Sequence, residues 1–152
     1  MYLEEQNSTY DFVFIGLGAS NSLILISLIQ KGLTKNKKIA VFEPDGKTNN
    51  DKTYCFLANP KDEILVELKA IISRSFNAIQ VNKTRAENIE NCPYHYIRSI
   101  DLYNYILDIL NEAKIEIHRN SVEEITFKDK INTLYSATKV YHSNYVFDSR
   151  HF

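Results

Sequence analysis

The chain has 152 residues, 44% of them hydrophobic and 24% charged, with a formal net charge of −1. That length suits one domain with a sizeable core, burying roughly 70% of the unfolded surface. Scattered Lys and Arg at near-zero net charge exclude a general nucleic-acid binder, and two cysteines give neither a disulfide framework nor a CxxC metal pattern. Cys55 and Cys92 are expected to stay reduced, which places the protein in the cytoplasm. The start, MYLEEQNSTYD, is acidic and polar and is no secretory signal. The apolar run at 23–28 is broken by Ser27 and falls short of the roughly 20 residues that span a bilayer.

Residues 11–15, DFVFI, are aromatic or β-branched and read as a buried strand. Ser20 and Asn21 are expected helix N-caps. Leu23, Ile24, Leu28 and Ile29 follow near helical spacing, and Gly32 is a natural stop. A solvated loop with Lys35, Lys37 and Lys38 leads to KIAVFEP, a second buried strand at 38–43 closed by Pro44. Strand, glycine turn, helix and strand make a βαβ unit with parallel strands. Residues 46–60 are polar and read as a loop over one end of the sheet. A helix at 63–72, a strand at 76–81, a helix at 99–113 capped by Ser99 or Asp101, and a strand at 114–118 come next. From Ser121 the period becomes two. VEEITFK, INTLYS and KVYHSNYVFD form a β-meander with turns near Asp129 and Ala137, followed by a more apolar strand at 145–148.

The turn at Gly16 and Gly18 carries the first chemical signal. A pyrophosphate must exchange water for hydrogen bonds, and a helix N-terminus offers unpaired N–H groups at the positive end of a dipole. The first glycine permits the tight turn, and the second lets phosphate approach without a Cβ in the way. The third mainly serves helix–strand packing. Gly16 and Gly18 are kept, with small Ala19 and Ser20 at the helix start, and Asn21 stands in the third position. If Asn21 only caps or adjoins the first turn, Asn21→Gly is tolerated. Glu43, ending the second strand, sits where an acid accepts hydrogen bonds from adenosine ribose hydroxyls, and it disfavours the 2′-phosphate of NADP.

DFVFIGLGASNSLILISLIQKG, KIAVFEPD and the string Asn50, Asp51, Lys52, Thr53, Tyr54, Cys55, Phe56 together resemble the lycopene cyclase family of carotenoid-forming flavoproteins. YHYIRSIDLYNYIL and the closing YVFDSR extend the resemblance through most of the chain. It implies an α/β, Rossmann-like FAD-binding domain of glutathione-reductase type, a parallel sheet plus a β-meander. FAD is the implied cofactor, with NAD(P)H as reductant in the full-length family. By the same resemblance Val122 meets adenine through its backbone amide and carbonyl, and Lys52 takes the place of the family's Arg near the phosphates or flavin. As a plain reading, Lys52 is a loop lysine.

Three positions depart from the family pattern: Asn21 for Gly, Lys52 for Arg and Tyr54 for Trp. Members of the family are more than twice as long, so the expectation is a single, partial FAD domain over 1–152 with the substrate domain absent. On that expectation the chain binds an adenine dinucleotide and does not cyclise lycopene alone. The carotenoid belongs to a full-length form, with peripheral contact at the inner membrane. A sheet face left bare would invite self-association. No residue is assigned the acid that protonates the polyene. Another FAD- or NAD-dependent oxidoreductase domain and a non-catalytic remnant are the alternatives. His95, His118, His142 and His151 are spread singly without metal spacing, and Ser149 with His151 makes no nucleophile pair.

Overall fold

The computed structural model describes residues 4–150, with side chains from Thr9 onward. In chain order the strands and helices are β1 (Glu4–Ile15), α1 (Ala19–Gln30), β2 (Ile39–Phe42), β3 (Thr53–Leu57) and α2 (Glu63–Leu68). A 3₁₀ turn (Lys69–Ile71), β4 (Arg74–Phe76), β5 (Ala78–Ile79), β6 (Glu87–Asn88), β7 (Tyr94–Arg98) and α3 (Ser99–Glu112) follow. The last four are β8 (Glu116–His118), β9 (Val122–Lys128), β10 (Ile131–Ser136) and β11 (Lys139–Asp148). They form two compact units, one from the residues up to Gly46 together with those from Ile106, the other from Lys47–Tyr105.

The first unit is built on a six-stranded sheet in the order β8-β2-β1-β11-β10-β9. Strands β8, β2, β1 and β11 run parallel, and β10 and β9 add on antiparallel. The parallel centre follows from the sequence. Strands buried on both faces need unbroken apolar side chains, and Val13, Phe14, Ile15 and all four residues of β2 are buried. Val13 and Ile15 lie opposite Ala40 and Phe42. These four pack with Tyr10, Val122, Leu134 and Tyr141 in one core.

The meander forms with a two-residue turn at Asp129 and Lys130, both with positive φ, the twist that suits a tight hairpin. The separate strand expected at 145–148 is instead the second half of β11. One continuous strand pairs antiparallel with β10 through 140–143 and parallel with β1 along its length. Helix α1 ends as expected at Gly32, whose φ of +67° lets Gly32 N–H reach Ile29 O and Leu33 N–H reach Leu28 O. Lys114 performs the same turn after α3 at φ +55° without a glycine.

The second unit corrects three expectations. The polar stretch 46–60 is not all loop, because Thr53–Leu57 is a strand. Its partner β7 had no counterpart in the sequence reading, and the two pair from Thr53↔Arg98 to Leu57↔Tyr94. β4 adds on the other side of β7. The strand expected at 76–81 breaks at Asn77, whose carbonyl accepts Ile89 N–H, into the ends of two short pairs. The helix at 63–72 is α2 continued by the 3₁₀ turn.

His118, ending β8, stacks on Phe42 at 4.5 Å and lies 5.1 Å from the Tyr141 ring. Burial holds its pKa below the ordinary value, with Glu116 opposing and Lys139 reinforcing. The unfolded imidazole charges near pH ~6.5 and the folded one only at lower pH. The unfolded state therefore binds more protons in that window, and stability falls as pH drops through it. His118→Phe keeps a stacked ring that cannot titrate. Urea unfolding of this variant should show a shallower loss of stability between about pH 7 and pH 5 than the parent chain.

Candidate functional site

The chain leaves β1 through Gly16, whose φ is +83° and whose N–H donates to Phe42 O at 2.8 Å. A Cβ there would stand 2.8 Å from Ser149 Oγ, so conformation and packing both require glycine. Gly18 is different. Its backbone is extended, at φ −79° and ψ −177°, and a Cβ would meet nothing within 4 Å. Neither the backbone nor the protein's own packing demands glycine at 18. The open space lies at the head of α1.

The expected caps are corrected here. The residue before α1 is Gly18, no side chain caps the helix, and Ser20 and Asn21 lie inside its first turn. The turn closes with Ser22 N–H donating to Gly18 O at 3.0 Å. The amides of Ala19, Ser20 and Asn21 precede that bond and lack helical acceptors. No acidic side chain occupies the first turn, so nothing of the helix's own offsets its positive end.

Asn21 is buried, and its Nδ2 lies 3.0 Å from Ile15 O, 2.8 Å from Gly16 O, 3.2 Å from Phe147 O and 3.1 Å from Ser149 Oγ. Three carbonyls fix which end of the amide is nitrogen, and two hydrogens are shared among four acceptors. Ser149 completes the knot, with its N–H and Oγ on Ile15 O at 2.9 and 3.1 Å. The replaced glycine is therefore a tie between the ends of β1 and β11 and the start of α1. Its partners Phe147 and Ser149 are 126 and 128 positions away, beyond the reach of local pattern reading.

Glu43 follows β2, the strand beside β1, and is buried. Its carboxylate turns back to the glycine turn. Leu17 N–H donates to Oε2 at 2.6 Å and Asp45 N–H to Oε1 at 3.0 Å. Arg119, one residue beyond β8, donates from Nη1 to Asp45 O at 2.8 Å and to Glu43 O at 3.5 Å. It was missed in the sequence. The available signal was a cation immediately after a parallel strand, on the edge that holds Gly16 and Glu43.

Val122 opens β9 and is buried, and its carbonyl already accepts Arg150 Nη1. Arg150 is in turn held by Asp148, Nη2 to Oδ2 at 2.6 Å and Nε to Oδ1 at 2.9 Å. The bonds from Arg150 keep the Asp148 carboxyl below its ordinary range. The closing YVFDSR is thus anchored by Asn21, Ile15 and Val122.

Lys52 belongs to the second unit, and Gly16, Gly18, Ala19, Ser20, Glu43 and Val122 belong to the first. Its backbone N–H donates to Ser99 Oγ at 3.0 Å, and its side chain is exposed. Its neighbours hold the start of α3. Asn50 Oδ1 accepts Ile100 N–H at 3.4 Å, and Asp51 Oδ1 accepts Tyr103 Oη at 3.2 Å. Ser99 Oγ lies 3.3 and 3.2 Å from the same two oxygens. Burial, with Tyr54 and Asp51 beside it, pushes the Tyr103 hydroxyl well above its usual range. Ser99 is thus served by residues of the Asn50–Lys52 stretch, and Asp101, the other expected cap, pairs with Arg98 at 2.6 Å.

Among the described residues no group of three or more His, Cys, Asp or Glu is placed to hold a metal ion. His95 is buried, with Ser75 Oγ 2.8 Å from Nδ1, and His142 Nδ1 lies 3.3 Å from Thr133 Oγ1. His151 lies outside the described residues. No helix among them is long and apolar enough to cross a membrane.

No protein-family model matches the chain, and no curated protein matches it. Solved structures do match. One is p-nitrophenol 4-monooxygenase PnpA from Pseudomonas putida DLL-E4, at a TM-score of 0.70 and 14% identity over 96% of this chain and 41% of that one. Halogenase PltM, solved with phloroglucinol and FAD, matches at 0.61 and 13% over 93% of this chain and 34% of that one. CtdE, solved with FAD, matches at 0.62 and 14% over 93% and 38%. The chain therefore spans about two fifths or less of the length of these proteins. At such identities the likeness is one of fold, a mixed α/β sheet architecture, and none of the three is named as a lycopene cyclase.

The two glycines and Asn21 should separate in unfolding experiments. Gly16→Ala forces an L side chain into positive φ against Ser149. Asn21→Ala leaves strand-end carbonyls without their donor. Each should cost about 2 kcal/mol or more. Asn21→Gly should cost as much, contrary to the tolerance expected of a mere cap. Gly18→Ala should stay within about 0.5 kcal/mol of the parent.

Proposed function

We propose that the chain binds the adenosine diphosphate half of FAD, as the nucleotide-binding portion of a flavoprotein. The observation that carries this reading is Gly18, a glycine that neither backbone angle nor packing explains, at the open positive end of α1. The pyrophosphate would lie against Gly18 and the first amides of α1, Ala19 and Ser20. Glu43 would accept from the ribose hydroxyls, and the Val122 amide would meet the adenine edge. FAD, when bound, supplies the flavin chemistry; the residues named here bind and orient its adenosine end. The flavoprotein fold shared with PltM and CtdE supports the choice of FAD.

The finer reading is a protein of the lycopene cyclase kind, with a glutathione-reductase-type FAD domain, acting on a carotenoid at a membrane surface. Its support is the likeness of the Asn50–Phe56 string and of YVFDSR to that family. A second reading, an FAD-dependent oxidoreductase acting on a phenol, draws on the fold likeness to PnpA and PltM. Saturable binding of the FAD-loaded chain to lycopene-bearing liposomes favours the first, and saturable binding of simple phenols in solution favours the second.

Quenching of flavin fluorescence on titration tests the shared core of both. FAD should bind, ADP should displace it, and FMN, which lacks the adenosine half, should not. Gly18→Val puts a branched side chain where phosphate approaches and should weaken FAD and ADP at least tenfold, about 1.4 kcal/mol, with an unchanged unfolding midpoint. Unaltered affinity in this variant would place the ligand elsewhere.

A further inference from the structure

Three strand ends meet through one run of hydrogen bonds. Arg119, after β8, donates to Asp45 O. The next amide in the run, Asp45 N–H, donates to Glu43 Oε1, and Glu43 Oε2 accepts Leu17 N–H from the turn after β1. Glu43 has a flexible side chain, and the amides of Leu17 and Asp45 are among the groups that orient its carboxylate. One of them, Leu17, is fixed by the turn. The other belongs to the short segment after β2, which Arg119 grips by the carbonyl of the same residue. Arg119 is itself exposed, so its position is not imposed by core packing. Among the described residues Glu43 O, at a longer 3.5 Å, is its one other hydrogen-bond partner.

The geometry points to Arg119 as a positioning residue for ribose recognition, acting through the Asp45 peptide on the Glu43 carboxylate. The inference rests on the adenosine-binding reading above and adds a determinant that recognises the ribose diol as distinct from the diphosphate. Without Arg119 the Asp45 carbonyl loses this donor, the segment that presents the Asp45 amide to Oε1 is held less firmly, and the Glu43 carboxylate is presented less precisely to a 2′,3′-diol. Misplacement of an acceptor by a fraction of an ångström is enough to lose a bidentate contact. A different role is open to any exposed cation at such a site, general attraction of a diphosphate. The two roles differ in what they discriminate. General attraction weakens all adenine diphosphates alike when removed, whereas positioning of Glu43 affects only ligands that carry the hydroxyl.

The experiment compares ADP with 2′-deoxy-ADP by isothermal titration on the full chain, for the parent, Arg119→Met and Arg119→Lys. The parent should favour ADP about tenfold, as one hydrogen bond to a carboxylate gives. In Arg119→Met the preference should fall below about threefold, chiefly by loss of ADP affinity, while the thermal unfolding midpoint stays in place. Arg119→Lys still offers one donor to Asp45 O and should retain most of the preference. A parent that binds neither ligand removes the adenosine-binding reading and this inference with it. A parent that binds both equally overturns the assignment of Glu43 to the ribose. Undiminished preference in a folded Arg119→Met, or an equal loss for both ligands, overturns the role of Arg119 and leaves the adenosine-binding reading standing.

Discussion

The carbonyls of Ile15 and Gly16 face the hardest requirement in the first unit. They lie where a central parallel strand stops and a helix must begin, with no side chain capping its first amides. A side chain that capped the helix would satisfy those amides but leave the two carbonyls without a donor. Asn21 resolves the conflict by donating backwards to the carbonyls and leaving the N–H side alone. Its place in the first helical turn, rather than before the helix, is what allows this. Ser149 fills the room that a Cβ at Gly16 would take, so the glycine and the serine are fitted to one another across the sheet.

Polar groups elsewhere along the same edge are used with similar economy. Glu43 is buried and accepts the amides of Leu17 and Asp45. Arg150 neutralises Asp148 and spends a further N–H on Val122 O. These side chains fix the spacing between strand ends that parallel pairing leaves to loops, since consecutive parallel strands cannot be joined by tight turns. The edge is therefore ordered by the chain's own hydrogen bonds.

What the sequence disclosed depended on the range of the forces involved. β1, β2, α1, α3 and the meander were legible because their patterns of burial repeat every two or three to four residues, and Gly32 marked its own turn. β3 was not, because Thr53–Leu57 is half exposed and its partner Tyr94–Arg98 lies in another part of the chain. The Gly16, Gly18 and Glu43 triplet was legible as a motif, and the structure sets the three at the carboxyl ends of neighbouring parallel strands. Asn21 was misread as a cap because a cap is the local use of such a residue, and its actual partners are distant. The Asn50–Phe56 string was legible as a resemblance only, and its hydrogen bonds to Ser99, Ile100 and Tyr103 supply a reason within the fold for several of its residues.

The pairing of β1 with β11 has a consequence for how the chain is made. Ile15 and Ser149 are bonded across 134 positions of sequence. At a synthesis rate of about 5–20 residues per second, β1 waits on the order of ten seconds for its second neighbour to leave the ribosome. During that interval β2 can cover one edge of β1, while the other edge offers unpaired backbone and a row of aromatic side chains, Phe12 and Phe14 among them. Such an edge pairs readily with any extended chain nearby. During synthesis β1 is thus exposed to misassembly along the edge that β11 later covers. Slowing translation would lengthen that exposure.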